Sequence, residues 1–191
     1  MPKGKTKIRL GREDWLLAAF EALVNSGVSA VTVDGLAGHL GVTRGSFYHH
    51  FADRQELLDA LLEYWAESLT TRIRDQVLNL KLDPATTLLV LLRTVRNERA
   101  AEFDAPFRAW ALHDERAASV LHEVDEIRLG TVRDLFKALG FEGVELENRA
   151  RLFLYYEIAA PAMFHEDDET TREARIIERH RFLTTPSHGS Q

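Results

Sequence analysis

The chain has 191 residues, 45% of them hydrophobic and 28% charged, a balance typical of a folded globular protein. No apolar run of about 18 residues is present, which argues against a membrane span, and the absence of cysteine fits a reducing cytosol. Net charge is −6, but residues 1–54 hold seven Lys/Arg against five Asp/Glu, and residues 55–191 hold 17 against 25. A basic end on an acidic body lets a polyanion meet one end only.

Residues 1–8 form a basic arm, and the stretch to Arg12 lacks the apolar segment of a secretory signal. Apolar spacing is helical almost throughout, so the expected fold is all-α, with nine helices in two domains. A first helix runs from about Arg12 to Asn25, stopped by Gly27. Thr32 is a plausible N-cap for a second, which carries Leu36, Ala37 and Leu40 and ends at Gly41. A short third spans Thr43 to about His50. Asp53 and Glu56 form a capping box that opens a long fourth helix, with Leu57, Leu61, Trp65, Leu69 and Ile73 on one stripe and an end near Leu80. Asp83 before Pro84 starts a fifth helix toward Arg99.

The segment FDAPFRAWALHD predicts a short sixth helix after Pro106. Val120, Val124, Val132 and Leu139 mark a seventh, closed by Gly140. An eighth runs from Leu146 to Phe164, with Pro161 expected to kink or shorten it. After the acidic EDDE loop, a ninth lies near Thr171 to Phe182, and residues 184–191 read as a disordered tail.

The second helix, a glycine turn and the third helix make a helix-turn-helix over about residues 32–51. Ala37 gives the small residue that a steep crossing needs, and Gly41 tolerates the sharp turn. Turning the third helix by about 100° per residue puts Thr43, Phe47 and Phe51 on one side and Gly45 with His49 at the centre of the other, flanked by Ser46 and Tyr48. Such a face fits the major groove of DNA. Gly45 permits close approach, Ser46 and His49 reach base edges, and Arg44, Tyr48, His50 and Arg54 donate to phosphates.

TVDGLAGHLGVTRGSFYHHFADRQELLDAL, residues 32–61, closely resembles the DNA-binding signature of the tetracycline-repressor (TetR) family of transcriptional regulators. The resemblance implies a prokaryotic cytoplasmic homodimer that reads a palindromic operator and is released by a small-molecule inducer, with no catalytic activity and no cofactor. The positions at Thr32, Tyr48, His50 and Arg54 then hold phosphates, and those at Arg44, Gly45, Ser46 and His49 face bases. Thr43 completes the DNA-binding set. Two departures stand out. Asp34 and Gly35 occupy positions where family members often carry polar or basic side chains, and Arg54 replaces the more frequent lysine.

On this reading residues 9–69 are the DNA-binding domain and 70–183 the regulatory and dimerisation domain. The dimer forms through the eighth and ninth helices, with Leu152, Tyr156, Ala159, Ala160, Met163 and Ile176 or Ile177 as candidates. Phe103, Phe107, Trp110, His113, Tyr155 and Tyr156 are candidates for the ligand pocket, since pockets between bundle helices are mostly apolar and aromatic. Two other functions compete. A helical adaptor would keep the helix-turn-helix shape but bind protein. A histidine-dependent enzyme or metal site would use His39, His49 and His50, but the last two point about 100° apart and no HExxH spacing supports them.

Overall fold

The computed structural model describes residues 10–163 and 168–186. The basic arm at 1–8, Phe164, the Met163 side chain and residues 187–191 lie outside what is described. Among the described residues there are nine helices, besides one 3-10 turn, and no strand. They are α1 (Arg12–Ser26), α2 (Val33–Leu40), α3 (Arg44–Phe47), α4 (54–78), α5 (Pro84–Asn97), α6 (Ala100–Ala111), α7 (Glu115–Ala138), α8 (Gly143–Met163) and α9 (Glu169–Thr184). No helix among these residues is long and apolar enough to cross a membrane.

The long helix α4 is composite. It comprises Arg54–Ala66, a wide π-helical stretch Glu67–Thr71, and Arg72–Leu78. The chain divides into two compact units, Met1–Tyr64 and Trp65–Gln191, where the sequence placed the change at residue 69.

In the first unit, Trp15, Ala19 and Leu23 of α1 meet Leu36 and Ala37 of α2, Phe47 of α3, Phe51, and Leu57 and Leu61 of α4, all buried. The Trp15 and Phe47 rings meet edge to face with centroids 5.3 Å apart. Each large side chain buried in this way contributes roughly 1.5–3 kcal/mol, so the short α3 is held mainly by the Phe47 ring. The third helix is shorter than expected. After Phe47 the bonding tightens to i→i+3, His49 N to Ser46 O at 3.4 Å and His50 N to Phe47 O at 2.9 Å, and the chain turns to bring Phe51 back into the core.

The second unit packs α5 to α9 and the end of α4 around Phe136, whose ring meets Phe141 at 5.9 Å and Phe153 at 6.3 Å. Asp83, Asp114 and Asp168 cap α5, α7 and α9 by accepting from the backbone N–H three residues on. Arg149 of α8 lies over the Phe141 ring at 4.1 Å and donates to Phe182 O and Leu183 O, satisfying carbonyls at the end of α9.

Two expectations about helix ends are corrected here. α6 starts at Ala100, not after Pro106, and holds Pro106 inside it. The αL backbone of Arg99, φ 52°, separates it from α5, and burial of Ala100, Phe107 and Trp110 along one face offsets the missing donor. Residue 184, expected in the tail, belongs to α9. Thr184 is the last residue of α9, and its hydroxyl donates to His180 O at 2.8 Å.

Candidate nucleic-acid interface

The helix-turn-helix is built from local chemistry at each end of α2. Thr32 Oγ1 accepts from Gly35 N at 3.1 Å, which caps the helix. A Cβ on Gly35 would fall 2.8 Å from that oxygen, so the glycine that departs from the usual pattern leaves room for the cap. At the far end Gly41 takes the αL conformation, φ 66°, and Val42 N bonds back to Ala37 O at 3.0 Å. The chain is thereby aimed into α3, where Phe47 stacks on Phe51 at 5.4 Å and Arg12 covers the Phe51 ring at 4.4 Å.

What remains outside is the face expected from the sequence. Thr32, Thr43, Arg44, Gly45, Tyr48, His49 and Arg54 are exposed, while Ser46 and His50 are half-buried. Tyr48 is 50% exposed although its ring meets that of Phe47 edge to face with centroids 5.3 Å apart. Arg44 Nη2 donates to the Tyr48 hydroxyl at 3.4 Å, and Nη1 lies 3.6 Å from Asp34 Oδ2. The Tyr48 hydroxyl first, and Asp34 second, hold the guanidinium further toward its charged form. Asp34 of α2 thus reaches over to Arg44 of α3.

Arg54 is used differently. Its Nε donates to Val31 O at 2.6 Å and its Nη2 to Val28 O at 2.9 Å, tying the start of α4 to the turn before α2. Only Nη1 is left without a partner among the described residues. A lysine could not bond both carbonyls with one planar fork, which accounts for arginine at this position.

In the second unit a cavity of about 70 Å³ lies between α4, α5, α6, α7 and α8, walled by Ile73, Leu91, Val95, Val132, Phe153 and Ile158, with Thr70, Asp104, Arg128 and Glu157 at its edge. None of the six pocket residues chosen from the sequence lines it. Phe107 stacks on Trp65 at 4.6 Å and sits 6.3 Å from Trp110, so both belong to the core. Phe103 is half-buried and His113 is exposed. Tyr155 and Tyr156 line a shallow groove between α8 and α9 instead, with Leu152, Ala159, Ala160 and Phe182. Leu152 is 55% and Phe182 73% exposed, whereas Ile176 is buried and Ile177 is not, so Ile176 is core.

The model of the bacterial regulatory proteins of the tetR family matches residues 16–61. The regulator TtgR of Pseudomonas putida is 30% identical over 163 residues, 84% of this chain and 78% of that protein. The chain belongs to the TetR family. Other relatives match through the head alone. The repressor KstR2 of Mycobacterium tuberculosis is 39% identical over 74 residues, 39% of this chain, and the matched stretch spans only 36% of that protein. Among solved structures, a transcriptional regulator from Aquifex aeolicus superposes with a TM-score of 0.70 at 15% identity, covering 90% of this chain and 98% of that one, which speaks for the fold.

In this TetR-family chain, Thr43 to His50 stand together on one segment, Thr32 caps the preceding helix, and Arg54 ties the start of α4 to the turn before that helix. Asp34 and Arg128 were missed as partners of other site residues. Asp34 lies ten positions before Arg44, across a turn, where helical periodicity carries no information. Arg128 reads from the sequence like any other arginine of α7, and only the buried Asp104 that it meets gives it away.

Proposed function

We propose that this protein is a cytoplasmic, sequence-specific DNA-binding regulator acting as a homodimer on a palindromic operator and released by a small ligand. One observation carries the reading. A single short segment holds Arg44, Gly45, Tyr48 and His49 outward while Phe47 and Phe51 lock it into the core, which is the geometry a recognition element needs. Gly45, Ser46 and His49 face bases, with Thr43 at the entry. Arg44 joins them because Asp34 partly cancels its attraction for phosphate. Thr32, Tyr48, His50 and the free Nη1 edge of Arg54 hold phosphates.

The exposed apolar groove of α8 and α9, with Leu152, Tyr155, Tyr156 and Phe182, supports dimerisation through those helices. The mainly apolar cavity of the second unit supports a ligand site. Selection of bound sequences from a random duplex pool tests the whole reading. The expected result is a palindrome with half-sites about 34–36 Å apart or a multiple of that. Recovery of unrelated sequences, with binding that hardly changes with salt, would instead favour a protein-binding adaptor.

A further inference from the structure

We propose that the cavity of the second unit takes a compact, uncharged hydrocarbon, held by apolar contact alone and without a hydrogen bond. The inference rests on the regulator reading for what such a ligand would do, and on the cavity alone for its chemistry.

Size sets the first limit. One water needs about 10–15 Å³ of such space, so a cavity of about 70 Å³ has room for roughly five to seven non-hydrogen atoms. Its walls come from five helices, with Ile73 of α4, Leu91 of α5, Ala101 of α6, Val132 of α7, and Phe153 and Ile158 of α8 among them. These side chains present only carbon and hydrogen. A ligand meets them through dispersion and through the apolar area it takes out of water.

The polar groups at the edge already bond one another. Arg128 directs Nε to Thr70 Oγ1 at 2.9 Å and its two Nη atoms to Asp104 at 2.8 and 3.0 Å. Asp104 also accepts from Trp65 Nε1 and Arg108 Nε, both at 3.0 Å, so both of its oxygens are taken. The Thr131 hydroxyl donates to Ile127 O at 2.9 Å. Arg74 Nε donates to Asp75 at 2.8 Å, and Glu157 Oε1 accepts from Arg179 Nη2 at 2.7 Å.

The charges balance in the same way. Arg74 stands with Asp75, Arg128 with Asp104, and Glu157 with Arg179. An ionic ligand would give up its hydration and meet only charges that are already paired.

Selection therefore works by exclusion. A hydroxyl or ether oxygen placed among these walls leaves its water partners and finds carbon, a penalty its hydrocarbon counterpart never meets. Water itself competes poorly for the space, because it needs two to four polar partners there.

The test follows the methyl resonances of Ile73, Leu91, Val132 and Ile158 in the full chain during titration with cyclohexane, tetrahydropyran, cyclopentanol, piperidinium and cyclopropanecarboxylate, which are matched in size. We expect saturable shifts at these methyls with cyclohexane, binding at least about thirtyfold tighter than tetrahydropyran or cyclopentanol, and no saturable shift with either ion. Ala101→Leu adds carbon at the wall and should weaken cyclohexane by about tenfold. A wild-type gap below about thirtyfold overturns the proposal. So does saturable binding of either ion, no saturable shift with cyclohexane, or cyclohexane affinity that Ala101→Leu leaves unchanged. If that variant does not fold, the wild-type ranking and the identity of the methyls that shift decide. Loss of the ranking beside an intact selected DNA motif sinks the cavity chemistry alone. The ranking without any selected motif upholds the site and sinks the regulator reading.

Discussion

Gly35 and Thr32 exclude any side chain between them: Gly35 N donates to Thr32 Oγ1 at 3.1 Å, and a Cβ on residue 35 would sit 2.8 Å from the same oxygen. The two positions should therefore couple. Thr32→Ala is expected to cost about 1 kcal/mol by loss of the cap. Gly35→Ala should gain little or lose in the wild type, yet stabilise by roughly 0.5–1 kcal/mol in the Thr32→Ala background, where helix propensity acts unopposed. Urea unfolding of the four proteins in the cycle measures the coupling, and additive effects would contradict it.

Arg54→Lys keeps the charge and loses the two-carbonyl fork on Val31 and Val28. A loss of about 1 kcal/mol of head stability is expected from two hydrogen bonds of which one is partly buried. The salt slope of DNA binding should stay the same, because the charge is kept. A changed slope with unchanged stability would reverse the assignment.

Tyr48 and His49 are neighbours with different expected readouts. Tyr48→Phe removes a phosphate donor and should weaken every bound sequence alike. His49→Ala should relax preference at one or two base pairs, each worth roughly 1–3 kcal/mol. Sequence selection with both variants separates the two, and an unchanged profile for His49→Ala would remove His49 from the base-reading set.

Much of this head was legible in the sequence because its signals are local. Thr32 and Asp53 are capping residues directly before apolar helical patterns, Gly41 ends one, and Phe47 and Phe51 fall one helical turn apart. The pocket was not legible. Aromatic density pointed to Phe107 and Trp110, but Phe107 stacks on Trp65 and Trp110 lies beside Phe107, both buried in the core, and the cavity opens among mainly aliphatic side chains from five helices. Pro106 misled for a related reason. A proline reads as a boundary when local rules act alone, and here burial on the far side of α6 outweighs them.

Asp104 is 1% exposed and accepts from Trp65, Arg108 and Arg128. Asp104→Ala should cost about 3 kcal/mol, since it leaves the partly buried Arg128 without its carboxylate and Arg108 with Asp125 alone. Chemical denaturation checks this, and a loss below about 1 kcal/mol would mean that the network behaves as a surface one.

Acid should weaken the second unit through its helix caps. Asp83 is held below the ordinary aspartate range first by the Thr86 side chain, Asp114 by the Ala117 backbone N–H, and Asp168 by the Thr171 side chain. A carboxyl whose folded pKa is lowered stabilises the fold above its unfolded value and loses that contribution as pH falls through the folded one. Thermal melts should therefore decline as pH drops below the ordinary aspartate value of 3.8. Replacing Asp83, Asp114 and Asp168 by serine keeps capping oxygens without carboxylates and should flatten that decline. An equally steep decline in the serine variant would assign it to other groups.

The π-helical turn at Glu67–Thr71 places one more residue in its turn than an α-helix would. Relatives whose fourth helix is α-helical throughout will align with this chain only if a one-residue gap is opened between residues 67 and 71. Without that gap, every position of the helix after Thr71 is compared with its neighbour, and Ile73 or Val77, which line the core here, would be matched to solvent-facing residues there. The bulge is thus a frame marker for homology in this part of the chain.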